Sequence, residues 1–362
     1  MQVNLTRRQC LATLLAGGLV PSVGLASGGR SNAPRVLRRW SSNNTLLAPL
    51  TQHNKHLLFA GDQTLGCINP SSAHLLWNVA HGLSTEAVFR PRAAGKTVLV
   101  AGPKELGAWS LDHGKRKWIR PARIQIGVPW VTPNFTYVGD GHELLAVHNA
   151  DGSQAWRFSS TPDTLASYAP TVVGDSVLFA PGNGLLYALA AADGKLKWQL
   201  DRSDEWQYLR QLYVTGNVLV AGSYKELLYG ISVHDGKVLW TFNAGNFINS
   251  HHVSGDTAYL WSPTGWVYAI DVQTGHVRWR HQTTNYGSAA NSWGPMMAEL
   301  TTQGEFLYAL DMSNVLHVLS TRSGKEVQRF TFTQDLRPTV LPLNRLQTVV
   351  ATEEGEIQLL QS

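Results

Sequence analysis

Two adjacent histidines, His251 and His252, come nearest among the side chains of this sequence to the spacing of a metal site. Adjacent residues of a strand point to opposite faces of a sheet, so these two imidazoles cannot readily share one metal ion. His142, Glu143 and His148 are close in sequence, but no cysteine or helical spacing completes a ligand set around them. We therefore predict no metal site, no cofactor and no catalytic residue.

A second set of candidates is defined by an internal repeat, because its members stand at equivalent places in successive units. Arg90, Arg210, His251 and Arg337 each directly precede the residue that opens a unit. The eight opening positions are Pro49, Pro91, Pro129, Pro170, Gln211, His252, Pro295 and Pro338. If the units form a ring, these side chains meet at one mouth of its central channel and focus positive potential there.

Aromatic residues accompany these basic groups, since Phe89, Tyr168 and Trp293 stand one residue earlier in their units. Aromatic and arginine side chains together are typical of recognition surfaces, and arginine pairs with carboxylates in two-point contacts. The sequence therefore predicts a binding face for acidic partner segments. The competing interpretation is that these arginines pair with neighbouring loops or lie in solvent.

The repeat itself is clearest between Ala188 and Trp198, where the sequence reads ALAAADGKLKW. An Asp-Gly pair between alternating runs predicts a tight β-hairpin, because glycine accepts the positive φ of the turn. The phrase recurs along the chain. The residues at its last position are Trp77, Trp118, Trp156, Trp198, Trp240, Trp279 and, in the seventh copy, Gln328. Their spacing near forty residues is the length of one four-stranded propeller blade.

The two ends of the chain determine the number of blades. The segment 336–360 supplies three strands and then the chain stops, whereas residues 34–40 read as a lone outer strand ending at Trp40. We predict an all-β fold, an eight-bladed β-propeller of four-stranded blades in which the N-terminal strand closes the last blade. Such closure removes open sheet edges. Seven blades would result if one terminal segment packed outside the ring.

The repeated Asp-Gly-Lys-x-x-Trp phrase resembles the tryptophan-docking repeat of the pyrroloquinoline quinone (PQQ) dehydrogenase propellers, and the resemblance extends from about Arg35 to the end. The plain, short members of this group, the BamB-like periplasmic propellers, are similar in size. The resemblance implies a non-enzymatic protein-binding scaffold that serves cell-envelope or outer-membrane protein assembly. The longer dehydrogenases of the group bind PQQ with Ca²⁺, often beside a disulfide of adjacent cysteines, and this sequence has no such cysteine pair. A quinoprotein-like oxidoreductase that binds a quinone or small anion at the channel mouth is the alternative.

The first 26 residues have the three-part layout of an export signal: Arg7 and Arg8, a short apolar run, and small residues before a cleavage point after Ala26. The paired arginines resemble a twin-arginine signal, and the general secretory route is the alternative. We predict a single propeller over residues 27–362, located in the periplasm. Cys67 is then the only cysteine, and we expect a buried side chain without a role.

Composition excludes some classes of partner. The formal net charge of +5 comes from 30 basic and 25 acidic side chains spread along 362 residues, without the basic stripe of a nucleic-acid binder. The apolar run of the signal is too short to cross a bilayer. We therefore expect a monomer that binds protein partners, binds no nucleic acid and does not span a membrane.

Overall fold

The structure is a computed structural model, and it describes residues 34–361 except 44, 47, 73, 85–87, 161–163, 206–208, 224–225, 246–247, 249, 263, 284–298 and 312. Only the backbone is described at Arg210, Glu299, Pro338 and Thr339. The predicted export signal, residues 1–26, lies outside the described residues.

Thirty-two strands form eight antiparallel sheets of four, and we number these sheets as blades in chain order. Blade 1 contains β2 (Thr51–His53), β3 (His56–Ala60), β4 (Thr64–Asn69) and β5 (His74–Ala80). Blade 2 contains β6 (Arg92–Ala94), β7 (Thr97–Gly102), β8 (Glu105–Ser110) and β9 (Arg116–Pro121). Blade 3 contains β10 (Trp130–Val131), β11 (Phe135–Asp140), β12 (Glu143–His148) and β13 (Gln154–Ser159). Blade 4 contains β14 (Thr171–Val173), β15 (Ser176–Phe179), β16 (Leu185–Ala190) and β17 (Leu196–Asp201).

The second half of the ring repeats this order. Blade 5 contains β18 (Leu209–Thr215), β19 (Val218–Ser223), β20 (Leu227–Ser232) and β21 (Val238–Asn243). Blade 6 contains β22 (Ser250–Ser254), β23 (Thr257–Trp261), β24 (Trp266–Asp271) and β25 (Val277–Gln282). Blade 7 contains β26 (Glu299–Gln303), β27 (Phe306–Leu310), β28 (Val315–Ser320) and β29 (Glu326–Thr331). Blade 8 contains β30 (Leu336–Asn344), β31 (Gln347–Thr352), β32 (Glu356–Gln361) and β1 (Arg35–Ser41).

The ring is closed by the pairing of the two ends of the described chain. Strand β1 pairs antiparallel with β32, from Arg35 opposite Gln361 to Ser41 opposite Glu356. Arg39 adds an ion pair of 2.8 Å to Glu356 across this seam. The predicted eight-bladed propeller with N-terminal closure is confirmed, and the seven-bladed alternative is wrong.

Each regular outer strand is locked to the next blade by its tryptophan. The indole Nε1 of Trp240 donates a hydrogen bond of 2.7 Å to the carbonyl of Val272 in blade 6. The ring of Trp240 lies against Gly275, where a Cβ atom would stand 2.8 Å from the indole. The same pair of contacts joins Trp77 to Gly114, Trp118 to Gly152, Trp156 to Gly194, Trp198 to Gly236 and Trp279 to Gly324.

This docking geometry explains why the seventh copy of the repeat carries Gln328 in place of tryptophan. Residue 328 is on β29 and faces blade 8, whose outer strand is β1. Because β32 and β1 are opposite ends of the described chain, no hairpin turn joins them and no turn glycine is available for an indole. The departure from the repeat therefore marks the closure seam.

The hydrophobic core lies between blades. One cluster joins Val220 and Trp240 of blade 5 to Leu260 and Ile270 of blade 6, all of them buried. Burying both faces of each sheet in this way gives the central strands their continuous apolar runs. Cys67 is one of these buried residues, as predicted, and burial raises the pKa of its thiol to about 12.

Candidate binding face

The antiparallel order within each blade divides the loops between two faces of the disc. Inner strands begin, and second strands turn into third strands, on one face, which we call the entry face. The Asp-Gly hairpins lie on the opposite face, which we call the turn face. Neighbouring inner strands contact one another, as β2 does with β6 and β30, so their first residues surround one mouth of the channel.

Four of the seven predicted site residues have described side chains that are partly exposed on the entry face. Arg337 Nε donates a hydrogen bond of 2.5 Å to the carbonyl oxygen of Leu46. Phe89 packs against a buried cluster that includes Ile126. Arg90 and Tyr168 are half-buried.

Two of the predicted residues have no described side chain. Arg210 lies on β18, where its backbone pairs with Gly222, and nothing is described beyond the backbone. Trp293 lies outside the described residues.

His251, which was predicted to add to the positive potential at the mouth, is buried in the structure. Its side chain is only 2% exposed, with its ring edge-on to Tyr213 at a centroid distance of 5.2 Å. Burial lowers the pKa of His251 to about 4, because an imidazolium ion is costly to hold away from water. His251 is therefore neutral near pH 7. The same cause lowers the pKa of its neighbour His252 to about 4.

The entry face is acidic in its blade 8 sector. Asp335, Glu353 and Glu354 line a shallow cleft together with Thr45 and Thr352. These carboxylates lie close in sequence to Arg337 and to the end of β31, so the mouth is not uniformly positive. Arg337 is the basic residue of this sector, and repulsion from the neighbouring carboxylates weakens the contacts that it can make with an acidic partner.

The sector of blades 2 to 4 carries exposed apolar and basic side chains. Several of them were not predicted from the sequence. The loop 122–128 leads from β9 to β10, and it is held by the carboxylate of Asp140 at the end of β11. Asp140 accepts hydrogen bonds from the backbone N–H groups of Arg123 at 2.8 Å, Ile124 at 2.9 Å and Gln125 at 3.2 Å. Aliphatic residues alternate along this connection at Ile124, Ile126 and Val128; Ile126 is buried, whereas Ile124 is exposed, and the sequence alone does not distinguish them.

Ion pairs in this sector leave positive charge on the surface. The carboxylate of Glu143 has only 7% of its side chain exposed, and it lies 3.0 Å from Arg123 and 3.9 Å from Arg157. The two guanidinium groups are 53% and 57% exposed. The nearby carboxylates of Glu143 and Asp140 are buried, whereas the two arginine side chains are exposed, so the surface of this site presents guanidinium groups to solvent.

The described residues contain no group of three or more histidine, cysteine or acidic side chains that could hold a metal ion. In the same part of the chain, no helix is long and apolar enough to cross a membrane.

Comparison with known proteins connects this geometry to a family. The family model described as outer membrane protein assembly factor BamB matches residues 120–213 and 209–295. No curated protein matches the chain in sequence.

Solved structures with the same fold cover nearly the whole chain at low identity. BamB from Moraxella catarrhalis is 14% identical, with a TM-score of 0.70 over 91% of this chain and 100% of that one. Sqt1 from Saccharomyces cerevisiae is 13% identical, with a TM-score of 0.75 over 91% and 100%. Chaetomium thermophilum Sqt1, solved bound to the N-terminus of a ribosomal protein, is 12% identical, with a TM-score of 0.72 over 91% and 100%.

Proposed function

We propose that this chain, which is a PQQ-like, BamB-like β-propeller, is a non-enzymatic periplasmic scaffold that binds partner proteins through its entry face. The match to a family model described as an outer-membrane assembly factor supports a role in cell-envelope or outer-membrane protein assembly. A structural neighbour that was solved with a protein segment bound shows that a propeller of this size can serve such a purpose.

The observation that carries the proposal is a rigid ring whose entry face presents both basic and aromatic side chains. The ring is closed by β1 and locked by tryptophan docking, so its loops are held in fixed relative positions. Arg90, Arg337 and Tyr168 are partly exposed around the mouth. Arginine keeps its charge at any relevant pH and binds carboxylates in two-point contacts, so the partner offers acidic segments.

A periplasmic location follows in this proposal from the signal predicted over residues 1–26. Secretion by the twin-arginine route would deliver the propeller already folded. The exported protein acts as a monomer, with its partners binding to one face of the disc.

A capture experiment from the native periplasm tests the scaffold function. The variant Arg90→Ala/Arg210→Ala/Arg337→Ala should retrieve less of the partner than the wild-type protein, and its capture should depend less on salt because screening weakens charge contacts. The matched control is Lys55→Ala/Lys115→Ala/Arg322→Ala, which removes three exposed cations from the turn face. Equal capture by both triple variants, with the same salt response as wild type, contradicts binding at the mouth.

The oxidoreductase alternative is tested on the same purified protein. A bound quinone gives visible or near-ultraviolet absorbance beyond that of the aromatic residues, and a calcium-dependent quinoprotein contains stoichiometric Ca²⁺. A scaffold has neither property after isolation from the periplasm.

A further inference from the structure

We propose that the partner is anchored on the entry face by an exposed apolar pair, Ile124 and Leu165, flanked by Arg123 and Arg157. This anchor patch recognises a protein segment in which aliphatic or aromatic residues alternate with aspartate or glutamate. The inference rests on the proposed scaffold function and assigns to it a site and a class of partner sequence.

The apolar pair is unusual in its position. Ile124 is 54% exposed and Leu165 is 45% exposed. Ile124 lies against Gly141 at the turn between β11 and β12, and Ala166, the residue after Leu165, donates a hydrogen bond to the carbonyl of Gly141. The other large hydrophobic side chains that are exposed in the described part of the chain lie on outer strands or on the turn face: Leu75, Leu76, Leu196, Leu239, Val277, Val327 and Leu346. Among the described residues of the entry face, Ile124 and Leu165 are thus the large aliphatic side chains exposed to a partner.

Ile124 is held in place before any partner binds. Its backbone N–H is one of three that donate to the Asp140 carboxylate, and Asp140 itself is only 3% exposed. The side chain of Ile124 packs over Gly141, where a Cβ atom would stand 2.6 Å from its Cδ1. A fixed aliphatic side chain loses little conformational entropy on binding, which is the property of an interface anchor.

Leu165 is fixed by the residue that follows it. The backbone N–H of Ala166 donates a hydrogen bond of 2.7 Å to the carbonyl of Gly141. Ala166 is buried against Gly127 and Gly139, whose missing side chains allow its carbonyl oxygen to approach; a Cβ atom at these glycines would stand 2.0 and 2.2 Å from that oxygen. Both members of the apolar pair are therefore presented by loops packed on the body of blade 3.

Charge selects the partner. Arg123 and Arg157 have exposed side chains beside the apolar pair, whereas the neighbouring carboxylates of Glu143 and Asp140 are buried, so it is the guanidinium groups that a partner meets. The acidic sector of blade 8, with Asp335 and Glu353, lies elsewhere on the entry face. A partner segment that is both apolar and acidic is attracted to the anchor patch and repelled from the blade 8 sector.

A displayed library of random 12-residue peptides tests this specificity. Selection on the wild-type protein should enrich sequences that combine Leu, Ile, Phe or Met with Asp or Glu. The enriched peptides should bind Ile124→Ser/Leu165→Ser at least tenfold more weakly. The control Leu239→Ser/Leu346→Ser, which changes exposed residues on an outer strand and on the turn face, should bind them as wild type does. Circular dichroism and thermal melting confirm that both variants are folded, as expected for exposed positions.

Two results would overturn the anchor patch. One is an enriched set without acidic residues, and the other is equal loss of binding in the two double variants. Loss of affinity in Arg123→Gln/Arg157→Gln, with recovery in Arg123→Lys/Arg157→Lys, supports the charge contribution.

Photo-crosslinking in the native periplasm separates this inference from the scaffold function. A photoreactive amino acid at position 165 should give protein adducts, and one at Leu346 on the turn face should not. Adducts from position 90 but none from position 165 would reject the anchor patch and leave the scaffold function standing. Absence of adducts at both entry-face positions would count against both proposals.

Discussion

Burial shifts the pKa values of several histidines in this propeller, and the repeat pattern does not reveal which histidines are buried. His251 and His252 occupy neighbouring places on β22, and the buried environment lowers both pKa values to about 4. His317 in blade 7 behaves in the opposite way. Burial acts to lower its pKa, but the carboxylates of Asp311 and Glu326 raise it above the ordinary value.

We predict that His251 and His252 make the protein less stable in mild acid. Their folded pKa values lie below that of an unfolded histidine, so the unfolded chain takes up protons first as the pH falls from about 6.5 to 4. Their stabilising contribution is present above pH 6.5 and is lost through that window. Thermal melting at a series of pH values should show a smaller acid loss in His251→Asn/His252→Gln than in wild type.

His317→Gln is the control with the opposite sign. The folded pKa of His317 is raised, so its contribution is present below about pH 6.5 and is lost as the pH rises through the folded value. Parallel pH profiles for wild type and the double variant would contradict the first prediction.

The contribution of tryptophan docking to stability can be measured by replacing two glycines of blade 6. Gly275 and Gly255 both have positive φ, at 74° and 59°, so alanine at either position costs about 1–2 kcal/mol of backbone strain. A Cβ atom at Gly275 would also stand 2.8 Å from Trp240, whereas nothing lies within 4 Å at Gly255. Gly275→Ala should therefore lose roughly 1–3 kcal/mol more than Gly255→Ala in urea unfolding. Equal losses would show that the close packing is not required.

At the scale of strands, the closure seam is the part of the ring that lacks both a covalent turn and a docked tryptophan. Strand β1 supplies the outer edge of blade 8 through backbone pairing with β32, the Arg39–Glu356 ion pair and the buried Trp40. Blades 1 to 7 have their outer strands joined by hairpins. The seam is therefore where we expect opening to begin.

Deletion of residues 35–41 should expose the edge of β32 and cause aggregation or a large fall in melting temperature. Arg38→Ala is the control, because it alters an exposed side chain of β1 and keeps the strand. Size-exclusion chromatography and thermal melting report the two effects. A truncated protein that remains monomeric with unchanged melting would refute the role of β1 in holding the ring.

Introducing tryptophan at position 328, where the repeat lacks it, should not stabilise the protein. Gln328→Trp places an indole where no hairpin turn joins β32 to β1, so we expect no gain in the free energy of unfolding. The reverse change, Trp279→Gln in blade 6, removes an indole that packs on Gly324 and donates to the carbonyl of Thr321, and should cost roughly 3–5 kcal/mol. Comparable stabilities of the two variants in urea would contradict this account of the seam.

The sequence predicted the strands closely, since a hairpin signal repeated along the chain also fixes the register between its copies. The lone outer strand expected over residues 34–40 is β1, Arg35–Ser41, in the structure. The binding face was less accessible to prediction. The position of His251 followed from the repeat but its burial did not, because burial depends on the side chains of the neighbouring blade.

The loop that presents Ile124 was missed for a related reason. Connections between blades differ in length and sequence, so the repeat carries no information about them. Asp140, on β11, accepts hydrogen bonds from the backbone of a segment about fifteen positions earlier in the chain. Only the folded arrangement reveals such a contact.

For the whole molecule, the route of export remains a prediction from the leader sequence. Replacing Arg7 and Arg8 together by Lys should leave precursor in the cytoplasm if the twin-arginine route is used. Cell fractionation with immunoblotting measures the distribution, and replacement of Gln9 by Asn in the same leader is the control. Normal export of the double variant would indicate the general secretory route.

The closure of the ring has a consequence for biosynthesis. Strand β1 leaves the ribosome before every other strand of the described chain, and its partner β32 leaves last. The ring cannot close until β32 has been made, since the 314 residues from 42 to 355 lie between the two strands. Until then β1 has no partner strand and is available to chaperones. Pairing of β1 with β32 therefore requires that strands β2 to β31 have already been synthesised.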